Sequence, residues 1–412
     1  MIKSEEASFS TFLTARASCA SVGGTAPDQE TGRRKYIFAH YLRGLAAVSV
    51  MFAHFGAAFF NANPMLSSLV NVPPVEDRTY PWLVQLFSVD FPGFVAVFGV
   101  AIFFMISGFV IPMSIERYNL TEFFFRRCVR LVPTYIFVFT LNLAVALMGY
   151  AIYHSKGIEY VYNSTDIIWS YFMGLNTYIS GTRWLDPVAW TLGVEILFYV
   201  VAAVFMNISF AIRKVREVNV YDVIVLSAIL DTSAIALSIH FQLVNEVFPM
   251  LNLGSVIKSI YLISFMLIGT TFYLHAKKRI GLRPLIYTIL IQYFSFVYVN
   301  MHINPAAVYV SIVPTFSWFA ITVLVFSLCY STNDKIKEHK VAGFLADISY
   351  PLYLCHSYIG YFLMGVIIGA GTLPRSLVVF IPFPVAIFIA YMIHKCVEIK
   401  TQRLAIPDFW GK

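Results

Sequence analysis

The chain has 412 residues, 59% hydrophobic and only 12% charged, with a net charge of +7 and a mean hydropathy of +0.73. A soluble fold cannot hide that much apolar surface and still cover itself with polar groups. Soluble multidomain, disordered, coiled-coil and collagen-like readings are therefore excluded, and the chain reads as a polytopic membrane protein.

Residues 1–35 are polar and lack the apolar stretch of a secretory signal. They read as a disordered cytoplasmic leader. Ten apolar segments follow, at 36–60, 93–113, 131–153, 190–212, 221–241, 252–275, 282–301, 307–330, 344–369 and 376–395. Each is near the ~20 residues needed to cross ~30 Å of hydrocarbon. In lipid, backbone groups must be satisfied within the segment or in a closed barrel, and segments this long and uniformly apolar are helices. The fold class expected is an all-α transmembrane bundle over 36–400, with a short tail at 401–412. Lys and Arg divide 23 to five between the two sides, which places both termini in the cytoplasm. That surplus marks orientation and does not point to nucleic acid. Five cysteines without CxxC spacing make neither a metal nor a disulfide framework, and no metal is expected.

Ionisable groups inside membrane helices are costly and so are functional candidates. In the first helix Arg43 and His54 are eleven residues apart, close to three full turns, so they share one face ~16 Å apart. A bland reading makes Arg43 a snorkelling side chain and His54 a bonded core histidine. In the second, Ser107 and Gly108 suit close helix packing. Before Pro133 come Arg126, Arg127 and Arg130. They suit positive-inside anchoring, or paired guanidinium forks for a phosphate. In the fourth, Glu195 lies ~7 Å below Trp190 and needs a partner, for which His54 at a similar depth is the expected choice. In the ninth, Ser349, Tyr353 and His356 form one polar stripe. Glu398, beside His394, reads as a cap or a partner of nearby bases.

Several motifs in order resemble the acyltransferase-3 family of bacterial integral-membrane acyltransferases, which commonly O-acetylate glycans. They are Leu42-Arg43-Gly44 with His54, Phe103-Phe104-Met-Ile-Ser107-Gly108-Phe109 and Arg126-Arg127-Cys-Val-Arg130-Leu-Val-Pro133. Three more follow, Trp190-Thr-Leu-Gly-Val-Glu195, Ile348-Ser349-Tyr350-Pro-Leu-Tyr353-Leu-Cys-His356 and Val397-Glu398. The resemblance spans roughly 36–400. Two positions depart from it: His40 stands where an acidic residue is usual, and Thr191 where a serine is usual.

The resemblance implies transfer of an acyl group, most commonly acetyl, from cytoplasmic acetyl-CoA to a hydroxyl of a glycan or envelope acceptor. The site would sit in the bacterial inner membrane and work without a further soluble domain. Arg127 and Arg130, helped by Arg126 and Arg43, would hold the CoA phosphates. Ser107 and Gly108 would let the pantetheine arm pass. His54 would be the general base, oriented by Glu195, or a nucleophile acylated in passing. A ten-helix transporter or flippase of a glycan or lipid precursor is the alternative. The acceptor and the oligomeric state are left open.

Overall fold

Backbone amides in hydrocarbon have no water to bond, and the chain answers with helices. Among the described residues the only β pairing is an isolated bridge between Ile179 and Leu251. The structure is a computed structural model that describes residues 36–404 apart from 77–78, 80, 83–90, 161 and 304–312. The expected leader 1–35 and the last eight residues of the tail lie outside the described residues.

Ten helices carry the fold. They are α1 Ile37–Ala53, α2 Phe91–Arg117, α3 Leu120–Tyr153, α4 Trp190–Arg213, α5 Val220–Ile239, α6 Leu253–Ala276, α7 Leu282–Ile303, α8 Val313–Ser331, α9 Ser349–Ala370 and α10 Pro382–Ile393. Among the described residues nine spans are long and apolar enough to cross a membrane, and α8 adds the shorter stretch Phe316–Ser331. The ten expected segments are thus the ten helices. The main boundary change is in α3, which starts eleven residues earlier than expected. Asn119 caps it there, its side chain accepting from the Glu122 amide at 2.8 Å, and Pro133 is carried inside the helix. Arg126, Arg127 and Arg130 therefore project from a helix and not from a loop.

α1 does not run straight through its functional half. After Ala53 it passes into a π-helical turn, His54–Ala58, before ending at Phe59–Asn61. Such single wide turns insert an extra residue and are frequent at functional sites. A second follows α10 at His394–Glu398.

α2 is the central wall, packed against α1, α6 and α8. Its approach to α6 is set by backbone: a Cβ added to Gly108 would overlap the Met266 carbonyl, and one added to Gly269 the Met105 carbonyl. Thr270 Oγ1 donates to the Gly108 carbonyl at 2.9 Å across the same seam. Small residues with polar cross-links are how helices associate where lipid removes the hydrophobic drive. Polar links also join α5, α6 and α7, with Thr271 on Gln292 at 2.8 Å and Gln292 on Ser227 at 3.3 Å. At the arginine-rich end, Arg216 donates to the carbonyls of Ile115, Glu116 and Tyr118. Arg279 grips the Glu116 carboxylate. Cations on the last carbonyls of α2 complement its dipole.

Candidate active site

Five helices enclose a cavity of about 80 Å³. α1 contributes Arg43, α2 Ser107, and α3 Arg127 and Arg130. α4 contributes Thr191, Glu195 and Tyr199, and α9 contributes Tyr350 and Tyr353. Phe103, Phe104 and other apolar side chains of α2, with Leu131 of α3 and Leu192 of α4, fill the rest of the wall.

Three guanidiniums thus meet one carboxylate. Glu195 Oε1 accepts from Ser107 Oγ at 2.7 Å and from the Tyr199 hydroxyl. Arg127 donates to Ser114 Oγ at 2.6 Å and lies over the rings of Phe123 and Tyr199. Arg43 and Arg130 are half-buried and make no hydrogen bond or ion pair to a described residue. Half-buried cations left without a fixed partner are what an anionic ligand completes.

Beside this cavity stands a histidine pair. His356, fully buried, has Nδ1 3.0 Å from the Leu352 carbonyl and Nε2 3.1 Å from Nδ1 of His54. A carbonyl only accepts, so Nδ1 of His356 carries hydrogen and its Nε2 is the acceptor in the neutral pair. His54 then donates from Nδ1, which leaves its own Nε2 with a free lone pair. The His54 ring stacks on Tyr361 at 6.1 Å between centroids. Tyr353 connects the two halves. It lines the cavity, and its ring lies 6.1 Å from that of His356. Its hydroxyl is 2.7 Å from Thr191 Oγ1, so the threonine at the departing position supplies the hydroxyl a serine would.

The structure gathers Arg43, Ser107, Arg127, Arg130, Glu195 and Tyr353 on one cavity and joins His54 to His356. It separates the rest. Glu195 does not pair with His54: its bonds go to α2 and to its own helix, because depth along two helices says nothing about which way each face is turned. Gly108 serves the α2–α6 seam and does not line the cavity. Arg126 points away, bound to Glu122 at 2.8 Å and stacked on Tyr118. Ser349 is buried against its own turn, donating to the Ala346 carbonyl at 2.8 Å. His40, at the other departing position, faces Asp347 at 3.4 Å, and Glu398 binds His394 at 2.7 Å.

Three residues escaped the sequence reading. Tyr199 follows Glu195 by four, the spacing of side chains that meet on a helix. Tyr350 lies inside a quoted motif, and its hydroxyl donates to the Leu131 carbonyl at 3.0 Å. Asp186, between α3 and α4, is buried and accepts from the Val188 amide at 3.0 Å. Burial pushes its carboxyl up to about 7. Its segment is clamped to α9, for the Tyr358 hydroxyl donates to the Leu185 carbonyl. Among the described residues no group of His, Cys, Asp and Glu is arranged to hold a metal ion.

No curated protein and no solved structure matches the chain. The acyltransferase-3 model, described as an acyltransferase domain, matches residues 36–395, a stretch that includes all the cavity residues and both histidines. The chain belongs to the acyltransferase-3 family and is a membrane acyltransferase.

Proposed function

We propose that the protein moves an acyl group, most simply acetyl, from acyl-CoA to a hydroxyl of a glycan or other envelope acceptor in the bacterial inner membrane. The observation that carries this reading is a three-arginine cavity that adjoins a histidine with a free, oriented lone pair. Arg43, Arg127 and Arg130 offer planar, permanently charged forks to the phosphates of the donor. His54 Nε2 takes the proton of the acceptor hydroxyl as its oxygen attacks the thioester carbonyl. The new C–O bond forms, the C–S bond breaks, and the thiolate leaves with the proton returned from His54. His356 acts through His54, holding its ring and tautomer. Glu195, with Ser107 and Tyr199, balances part of the arginine charge.

The basic split of the loops supports a donor arriving from the cytoplasm, since the three arginines lie toward the Arg216–Glu116–Arg279 end. Arg43 and His54 are ~16 Å apart along α1, a span suited to an extended arm with phosphate at one end and thioester at the other.

The test is thiol release from acetyl-CoA by purified protein, with and without an envelope glycan fraction. Release that requires both the glycan and His54 supports the reading. Acetyl-CoA that neither binds nor turns over, in folded protein, overturns it.

A further inference from the structure

At the end of the bundle opposite Arg43, Arg127 and Arg130, a second cavity opens where α5, α6 and α7 meet. Its volume is about 410 Å³, and its walls include Phe241, Ile257, Tyr261, Ile303 and Lys258. Lys258 is the one charged residue among them. It lies five residues into α6, ~7.5 Å along the helix.

A lysine at such a depth ordinarily extends its ammonium toward water. The Lys258 side chain is exposed, and its Nζ sits 3.8 Å from the centroid of the Trp190 ring. It makes no hydrogen bond or ion pair to a described residue. An indole face holds a cation but leaves its N–H donors unused. The surroundings belong to a membrane surface. In the short helix Phe241–Val247 and just beyond it, Phe241, Leu243, Val247, Phe248 and Met250 are all exposed. An outward apolar face next to a cation is the pattern of a segment lying in the interface.

Trp190 also ties this cavity to the candidate active site, because the next residues of α4, Thr191 and Leu192, line the arginine cavity. We propose that the second cavity binds the phosphate headgroup of a membrane lipid and so anchors a lipid-linked acyl acceptor beside the active site. Lys258 meets the phosphate, and the lipid chain lies along Phe241, Ile257, Tyr261 and Ile303. A soluble anion would leave the apolar walls unfilled, and a neutral lipid would leave the ammonium unmatched. The anchoring role rests on the acyl-transfer reading; the lipid site itself does not.

The experiment is native mass spectrometry of the purified full chain with phosphatidic acid, with diacylglycerol of the same chains, and with inorganic phosphate as competitor. Wild type should bind one phosphatidic acid saturably. Lys258→Gln should weaken that binding about tenfold or more, and Lys258→Arg should retain it. Ile257→Trp, which fills the cavity and keeps the cation, should also exclude the lipid. Equal binding by wild type and Lys258→Gln overturns the proposal. So does binding of diacylglycerol as tight as that of phosphatidic acid, or displacement by inorganic phosphate at equal concentration. Acetyl-CoA binding is measured on the same samples: its absence from wild type would remove the acyl-transfer reading while the phosphatidic acid result still decides the lipid site.

Discussion

Nε2 of His356 lies 3.1 Å from Nδ1 of His54, although 302 residues separate the two in the chain. The bond is directional, because the Leu352 carbonyl fixes the hydrogen on the far nitrogen of His356. One ring is therefore a support and the other a base, and the two substitutions should not be equivalent.

His54→Ala should lower the rate of acyl transfer by about 10²–10⁴ while acetyl-CoA binding persists. His356→Ala removes a neutral hydrogen bond of about 1 kcal/mol and should cost less, near fivefold from that bond alone. The double variant should be no slower than His54→Ala, since the residues act as a unit. Rates measured per folded molecule decide the matter. Near-normal transfer by His54→Ala would remove it as the base.

The arginines separate into two classes. Arg127→Ala or Arg130→Ala should weaken acetyl-CoA binding by about 10- to 150-fold, the value of one charge-assisted hydrogen bond. Lysine at either position should restore only part, because the fork is lost. Arg126→Ala should change affinity by at most about fivefold, since it gives up only a part-exposed pair with Glu122. Titration calorimetry on the three alanine variants tests the division. Equal losses in all three would make the effect one of general charge.

Gly108→Ala tests packing against passage. An added methyl would meet the Met266 carbonyl, and overpacking of this kind costs about 1–3 kcal/mol. The variant should unfold at lower temperature in detergent, while its folded fraction binds acetyl-CoA normally. Lost affinity at unchanged stability would instead return Gly108 to the donor path.

Asp186 lies between the α3 and α4 spans, where burial raises its carboxyl from 3.8 to about 7. The folded protein then keeps a proton that the unfolded chain releases. That contribution to stability is complete below pH 3.8 and is lost as the pH rises through about 7. Wild type should therefore lose thermal stability between pH 4 and 7 relative to Asp186→Asn, which can still accept from the Val188 amide. Parallel profiles for the two proteins would show that Asp186 does not titrate there.

Hydrophobic length made the ten helices legible, and cost in lipid picked out Arg43 and Glu195 on the cavity but not Tyr199 or Tyr350. Azimuth was not legible. His54 and Glu195 stand at similar heights along their helices, yet Glu195 bonds Ser107 and Tyr199 while His54 bonds His356. Distant pairing was equally hidden: nothing in the Ser349–His356 stripe says that His356 reaches α1 while Ser349 closes on its own turn. Asp186 escaped because a polar residue in a loop signals nothing until the loop is seen buried.

The α2–α6 seam has a mechanical consequence. A cavity of about 80 Å³ is well below the roughly 300–1,000 Å³ of small-molecule pockets, so a thioester on its arm requires the walls to part. Two helices in backbone contact at Gly108 and Gly269 have no side-chain layer to deform and cannot slide past each other without collision. They act as the fixed jaw. Any widening then falls to the other walls, α1, α3, α4 and α9, which between them carry all three arginines.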